Sequence, residues 1–219
     1  MSDPFSDIDK DVTLDKVKGL LYKYKKLIII LLTSIIVFSI TLYYFNYNKK
    51  TKDIRLSGYL IEIISIINTE DERAIEELTK LSKLGHSGHE ILSNLLLSKI
   101  YLKKQDFQAA INHLSKIEIK SKKLAPLNKL QDYFMSVAYL GLKNEKEFKK
   151  SINLLISHGG YWSLLGHELR GYFFLEQGNL IAAEKDFNKI INEQLSTQSL
   201  RARAQEMINN INLNDEGNS

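Results

Sequence analysis

The chain is 219 residues long, 44% hydrophobic and free of cysteine, with a formal net charge of +4 and a pI near 9.0. That length and apolar content suffice for a packed core, and the absence of cysteine excludes disulfides, cysteine-ligated zinc and a thiol nucleophile while leaving the compartment open. Two prolines and eleven glycines point to a helix-rich chain with short connections.

Residues 1–26 read as a short tail, loose over its first ten residues. Within it, Val12, Val17, Leu20, Leu21 and Tyr24 stand at roughly helical spacing. Either a short amphipathic helix on a membrane surface or an extension of the next segment produces that pattern. Residues 27–45, "LIIILLTSIIVFSITLYYF", contain no charge. At about 1.5 Å per residue they reach about 28 Å, the hydrocarbon thickness of a bilayer, and predict a transmembrane helix in contact with lipid. Each Leu, Ile, Val or Phe favours insertion by roughly 0.3 to 0.6 kcal/mol. Tyr22 and Tyr24 before the run, and Tyr43, Tyr44 and Tyr47 after it, suit the two interfaces. The run is too long for a cleaved signal peptide and continues into "TLYYFNYNKK" without a small-x-small site, so it reads as a retained signal anchor.

Lys10, Lys16, Lys18, Lys23, Lys25 and Lys26 precede the span, whereas Lys49, Lys50, Lys52 and Arg55 follow it. This bias predicts a cytoplasmic amino terminus. Residues 46–55 form a basic juxtamembrane segment. Residues 56–219 carry equal numbers of acidic and basic side chains, so the whole net charge lies beside the span. A domain without net charge lacks the electrostatic footprint of nucleic-acid binding, and none is expected.

Alternating helices and short breaks follow over residues 56–213. "KTKDIRLSGYLIEIISIIN" continues the span or follows a hinge near 49–53. "TEDERAIEELTKLSKL" predicts a helix with Thr69 as cap and Glu72 three residues on. "GHSGH" predicts a turn. Helices are then expected at 90–104, 107–119, 127–142, 146–157, 162–176, 180–193 and 197–211, with Pro126 and Gly159-Gly160 as stops and 214–219 disordered. No β-rich run is bounded by turns.

One pattern recurs in this tract. Gly171, Phe174, Gly178, Ala183 and Phe187 follow at fixed steps, and Ser98, Tyr101, Gln105, Ala110 and Leu114 repeat the order 73 residues earlier. This is the tetratricopeptide arrangement: small residues let two helices cross closely, aromatics fill the groove, and glycine permits the reversal. Between them, "YFMSVAYLGLKNEKEFKKSINLLI" reads as a pair with one extra residue in its turn, and 56–84 as a degenerate first pair. The expected fold class is all-α: one N-terminal transmembrane helix followed by a tetratricopeptide-like solenoid of helical hairpins.

The order of these parts resembles the YfgM-like ancillary subunits of the bacterial Sec translocon. The resemblance covers roughly residues 20–213. It is carried most strongly by the glycine-x-tryptophan of Gly160 to Trp162, the "ELRG" of Glu168 to Gly171, and the turn from Gly178 to Ala183. It implies a bacterial inner-membrane protein whose repeat domain lies in the periplasm. It also implies association with Sec translocon subunits and with a membrane-anchored periplasmic chaperone of the peptidyl-prolyl isomerase type. From the residues alone, a cytoplasm-facing adaptor or a structural subunit of another membrane complex shares these features.

Nothing in the chain points to catalysis or to a cofactor. His86, His89, His113, His158 and His167 are scattered, Ser87 lacks the preceding strand of a nucleophile elbow, and no glycine-rich phosphate loop occurs. By repeat position Leu95, Lys99, Lys103, Glu168, Tyr172 and Glu176 point to the concave, protein-binding face. Lys99 and Tyr172 stand where a carboxylate-clamp asparagine would be needed, which disfavours that mode. Trp162 is expected to pack beneath the following helix, or else to stand exposed with Tyr161 as an anchor.

Overall fold

The structure, a computed structural model, describes residues 5–84, 87–119 and 122–216. Its helices are α1 (Phe5–Ile66), α2 (Asp71–Ser82), α3 (Ser87–Lys103), α4 (Phe107–Leu114), α5 (Pro126–Gly141), α6 (Glu145–Ser157), α7 (Gly160–Glu176), α8 (Leu180–Asn192) and α9 (Gln198–Glu216). No strand occurs among the described residues. The chain divides into two compact units, one reaching Arg55 and one starting at Leu56.

In the first unit α1 is the one helix among the described residues that is long and apolar enough to cross a membrane. Its backbone is unbroken across residues 49–53. Side chains such as Val37 and Phe38 are exposed. The hydroxyls of Thr33, Ser39 and Thr41 donate to carbonyls of their own helix at 2.8–2.9 Å. Those bonds let a polar side chain sit among apolar ones without an unsatisfied donor, the condition a spanning helix must meet. Residues 1–4 lie outside the described residues, as do the side chains of Val12, Val17, Leu20 and Leu21 in the expected amphipathic set.

The second unit pairs helices in sequence. Leu60 and Ile63 of α1 pack with Ala74, Leu78 and Leu81 of α2 and with Leu97 and Ile100 of α3. Asn68 between α1 and α2 adopts φ 81°. Thr69 therefore belongs to the turn rather than capping α2: its hydroxyl donates back to the Ile66 carbonyl at 3.0 Å, and the Asp71 carboxylate accepts from the Asn68 N–H at 2.8 Å. Gly85 and His86 of the expected turn lie outside the described residues, and α3 starts at Ser87.

The three later pairs turn in one way. In each, three residues connect the helices, and the middle one is left-handed: Gln105 at φ 60°, Lys143 at φ 53° and Gly178 at φ 71°. The next residue, Asp106, Asn144 or Asn179, donates its N–H to the carbonyl five residues back at 2.8–3.0 Å. Its side chain then accepts from the N–H of Ala109, Glu147 or Ala182, capping the second helix. The middle pair thus has no extra residue, contrary to the sequence reading. Ser136, Tyr139, Lys143, Phe148 and Ile152 fall in register with the flanking repeats.

The irregular spacing lies elsewhere. Ser98, Ser136 and Gly171 are 38 and 35 residues apart, and the longer interval falls between α4 and α5, where residues Lys122–Leu124 make a single 3-10 turn. The pattern was obscured because Phe148, buried 4.9 Å from the Phe173 ring, occupies the position held by Ala110 and Ala183. α4 stops at Leu114 rather than Ile119, and the Gln131 amide donates to the Leu114 carbonyl at 2.9 Å. Pro126 starts α5, where its missing N–H has no helical partner to lose.

The core is divided among four clusters that follow the stack. In the last, Phe187 lies against Gly171 so closely that a Cβ added there would stand 2.7 Å from the ring. α9 closes the stack by laying Leu200, Ala204, Ile208 and Ile211 over Ala183, Phe187 and Ile190. Its other side carries exposed Arg201, Gln205 and Asn209.

Candidate functional site

α3, α5 and α7, the first helices of successive pairs, pack side by side. They carry the six residues expected on the concave face. Lys99 is exposed. Lys103 is exposed as well, and its Nζ reaches Asn68 Oδ1 at 3.1 Å and Asp71 Oδ2 at 3.3 Å, tying the second pair to the first. Glu176 is exposed and Tyr172 half-buried, with its ring edge-on to Phe187 at 5.7 Å. Burial, reinforced by the Glu168 charge, raises the Tyr172 pKa.

Leu95 and Glu168 depart from the expectation of an open surface. Leu95 is 3% exposed because α5 covers it with Leu127, Leu130 and Phe134. Glu168 is 6% exposed because Arg203 of α9 lies over it, with Nε and Nη2 donating at 2.6 and 3.0 Å. Both are enclosed by the helix that stacks next, which a single repeat cannot reveal. Bonding to Glu168 raises the Arg203 pKa. This bidentate pair anchors α9 to α7.

Around it lies an aromatic group in which the sequence singles out Trp162 and Tyr161 but not Tyr133 or Phe134. Tyr133 of α5 is 6.5 Å from Trp162 and 5.9 Å from Phe134. Burial and then the Glu168 charge raise the Tyr133 pKa, while Arg203 opposes them. Trp162 packs onto the cluster of Phe148, Ile152 and Leu155, whereas Tyr161 stays 43% exposed. The surface across α3, α5 and α7 thus alternates exposed charge with partly buried tyrosine.

Of the repeat-packing residues, Ser98, Ala110, Leu114, Gly171, Ala183 and Phe187 are buried, while Tyr101 and Phe174 are half-buried. Gly178 occupies its turn. Tyr101 stacks on His113 at 5.5 Å.

A second polar group joins α7 to α8. Asp186 is 2% exposed and accepts from Arg170 Nε and Nη2, both at 2.7 Å, and from His167 Nδ1 at 2.8 Å. Burial works against the Asp186 carboxylate, but the bonds from Arg170 and His167 outweigh it and hold its pKa below the usual range. His158 meets Asp132 at 2.7 Å, His113 meets Asn94 at 2.9 Å, and His89 meets Ser57 at 3.2 Å. Burial, with Lys116 adding to it, lowers the His113 pKa. No group of three metal-ligating side chains occurs among the described residues.

A family model described as a tetratricopeptide repeat-like domain matches residues 18–213. No curated protein and no solved structure gives a match.

Proposed function

The chain belongs to the tetratricopeptide repeat-like domain family, and from that premise we propose that it is a membrane-anchored, non-catalytic scaffold for protein–protein contact. The observation that carries this reading is the pairing, in one chain, of an exposed apolar helical run over residues 27–45 with a stacked repeat surface across α3, α5 and α7. The run holds the chain in lipid, and Lys99, Lys103, Tyr172 and Glu176 meet the partner. Tethering raises the effective concentration of that surface beside membrane partners without requiring any new contact.

The setting is secreted-chain handling at the bacterial inner membrane. The amino terminus is cytoplasmic and the repeat domain periplasmic, where it links Sec translocon subunits to a chaperone of the peptidyl-prolyl isomerase type or to emerging chains. The charge bias around the span and the resemblance of residues 160–192 support this assignment. Protease added to spheroplasts tests the orientation: digestion of the repeat domain agrees with it, whereas protection places the domain in the cytoplasm. Mild crosslinking in membranes tests the setting. Translocon subunits or a periplasmic chaperone are expected in the adduct, and their absence from it overturns the setting while leaving the scaffold.

A further inference from the structure

Between the N-terminal part of α7 and the C-terminal part of α8 lies a cavity of about 690 Å³, within the range of about 300–1,000 Å³ that small-molecule sites occupy. Ser163 and His167, one turn apart on α7, stand along one wall. Asn188 and Asn192, one turn apart on α8, stand along the other. The buried side chain of Leu164 also lines it.

His167 is 6% exposed, and its Nδ1 lies 2.8 Å from Asp186 Oδ1. Asp186 also accepts from Arg170 Nε and Nη2, both at 2.7 Å, so the arginine balances its charge and the imidazole enters neutral, with its one hydrogen on Nδ1. Nε2 then holds a lone pair and no hydrogen. No group among the described residues donates to it. The fully enclosed side-chain oxygens and nitrogens that lack a partner there are the hydroxyls of Ser93 and Ser196, so Nε2 is open to the cavity that His167 lines. A carboxylate that fixes a buried imidazole by one nitrogen and leaves the other open is a positioning device. What it positions here is an acceptor.

That acceptor specifies the ligand class. An oxyanion brings no hydrogen to a lone pair. A metal ion or an ammonium group would meet Lys185 and Lys189 against the single carboxylate of Glu193, an excess of one positive charge on the lining. A neutral group that donates to Nε2 remains. It must also answer the neutral side chains beside it. Neither the Ser163 hydroxyl nor the Asn192 amide makes a hydrogen bond among the described residues, and Asn188 uses only its Nδ2, toward Glu184 at 3.4 Å. Donors and acceptors are therefore mixed along both walls. Hydroxyls suit such a mixture because each oxygen donates and accepts at once, whereas a peptide group donates from one atom and accepts at another on its opposite side.

We propose that this cavity binds a neutral polyhydroxyl group, that of a saccharide or of a polyol headgroup, with one hydroxyl donating to His167 Nε2 and its neighbours bonded to Ser163, Asn188 and Asn192. Leu164 offers the apolar contact that the C–H face of a sugar ring takes. The site shares no residue with Lys99, Lys103, Tyr172 and Glu176, so it stands or falls separately from the scaffold surface.

The test titrates the full chain, in micelles of a detergent without a sugar headgroup, with methyl glucoside and, in a separate arm, with myo-inositol. A third arm uses N-methylacetamide, which carries a peptide group. NMR follows the ring nitrogens of His167 and the side-chain amides of Asn188 and Asn192. Saturable shifts are expected in the hydroxyl arms, with Nδ1 still protonated, and the lower Kd of the two distinguishes a saccharide from a polyol headgroup. The Ser163→Ala/Asn192→Ala variant should weaken binding by about tenfold or more through two lost hydrogen bonds. Asn153→Ala/Ser157→Ala, at exposed positions of α6, should leave it unchanged, and equal Tm values confirm that the variants fold alike. Shifts that fail to saturate in both hydroxyl arms overturn the proposal, as does tighter binding of N-methylacetamide or an unchanged Kd in Ser163→Ala/Asn192→Ala.

Discussion

The contact between Gly171 and Phe187 can be tested by exchanging its bulk. A Cβ at Gly171 would stand 2.7 and 2.8 Å from two ring carbons of Phe187, against about 3.5–4.0 Å for a relaxed carbon contact. Phe187 is fully buried among Ala183, Leu200 and Ala204, so its ring has nowhere to retreat. Gly171→Ser should gain about 0.5 kcal/mol in helix propensity and lose about 1–3 kcal/mol to overpacking, a net destabilisation. Phe187→Leu should cost about 1–2 kcal/mol for the space it leaves. The Ser98 and Leu114 positions of the earlier pair already combine these two side chains, both fully buried. The double variant should therefore recover about 1 kcal/mol or more relative to the sum of the single changes. Urea unfolding of the full chain in micelles, read by the single tryptophan, Trp162, measures all three variants. Additivity within about 0.5 kcal/mol refutes the account, because the two side chains would then not compete for one space.

Other changes probe the polar connections. Asp186→Asn removes the shared acceptor of Arg170 and His167 and should cost about 3–5 kcal/mol, measured by urea midpoint. Because the Asp186 pKa is lowered on folding, its stabilisation is present above about pH 4 and lost as pH falls through the folded value. A pH series of Tm values should show a shallower acid limb for Asp186→Asn. The lowered His113 pKa acts in a higher window: stability should begin to fall below about pH 6.5, and His113→Gln should flatten that fall. Arg203→Leu leaves Glu168 buried without its partner and should cost about 1–3 kcal/mol. Hydrogen exchange should quicken in α9 first, with Arg203→Lys restoring only part because it cannot form the two-point contact. Asn179→Ala should lower stability by about 1 kcal/mol through loss of the α8 cap, seen as a shifted urea midpoint with an unchanged slope.

The sequence made the helix pairs legible where backbone and side chain agreed. Gly178, followed by Asn179, marks a left-handed residue and a cap by composition alone. The equivalent Lys143-Asn144 turn was hidden because lysine rarely takes φ 53°, and because Phe148 replaced the small residue that marks the next helix. Together they made a regular pair look one residue too long. Thr69 and Glu72 mimicked a capping box, but with Asn68 left-handed the Thr69 hydroxyl turns back to Ile66, the Asp71 carboxylate accepts from the Asn68 N–H, and α2 begins on Glu70 without a side-chain cap. The concave assignments followed repeat position and were therefore blind to neighbours. Leu95 and Glu168 are covered by α5 and α9, and those contacts depend on how one repeat seats on the next. One salt-linked residue left a faint signal of its own: Asp186 stands between Ala183 and Phe187 on the packed side of its helix, where a buried carboxylate requires a partner. Nothing in local spacing paired Glu168 with Arg203, 35 residues away.

The outward side of α9 bears on how far such a stack can grow. Paired helices present the same greasy seat at every step, so an unfinished end would invite another molecule to settle there, and then another, into a fibre. Arg201, Gln205 and Asn209 turn a water-loving stripe outward, while Leu200, Ala204, Ile208 and Ile211 of α9 are already spent on α8. Crowding many such chains into a patch of membrane therefore should not zip them head to tail.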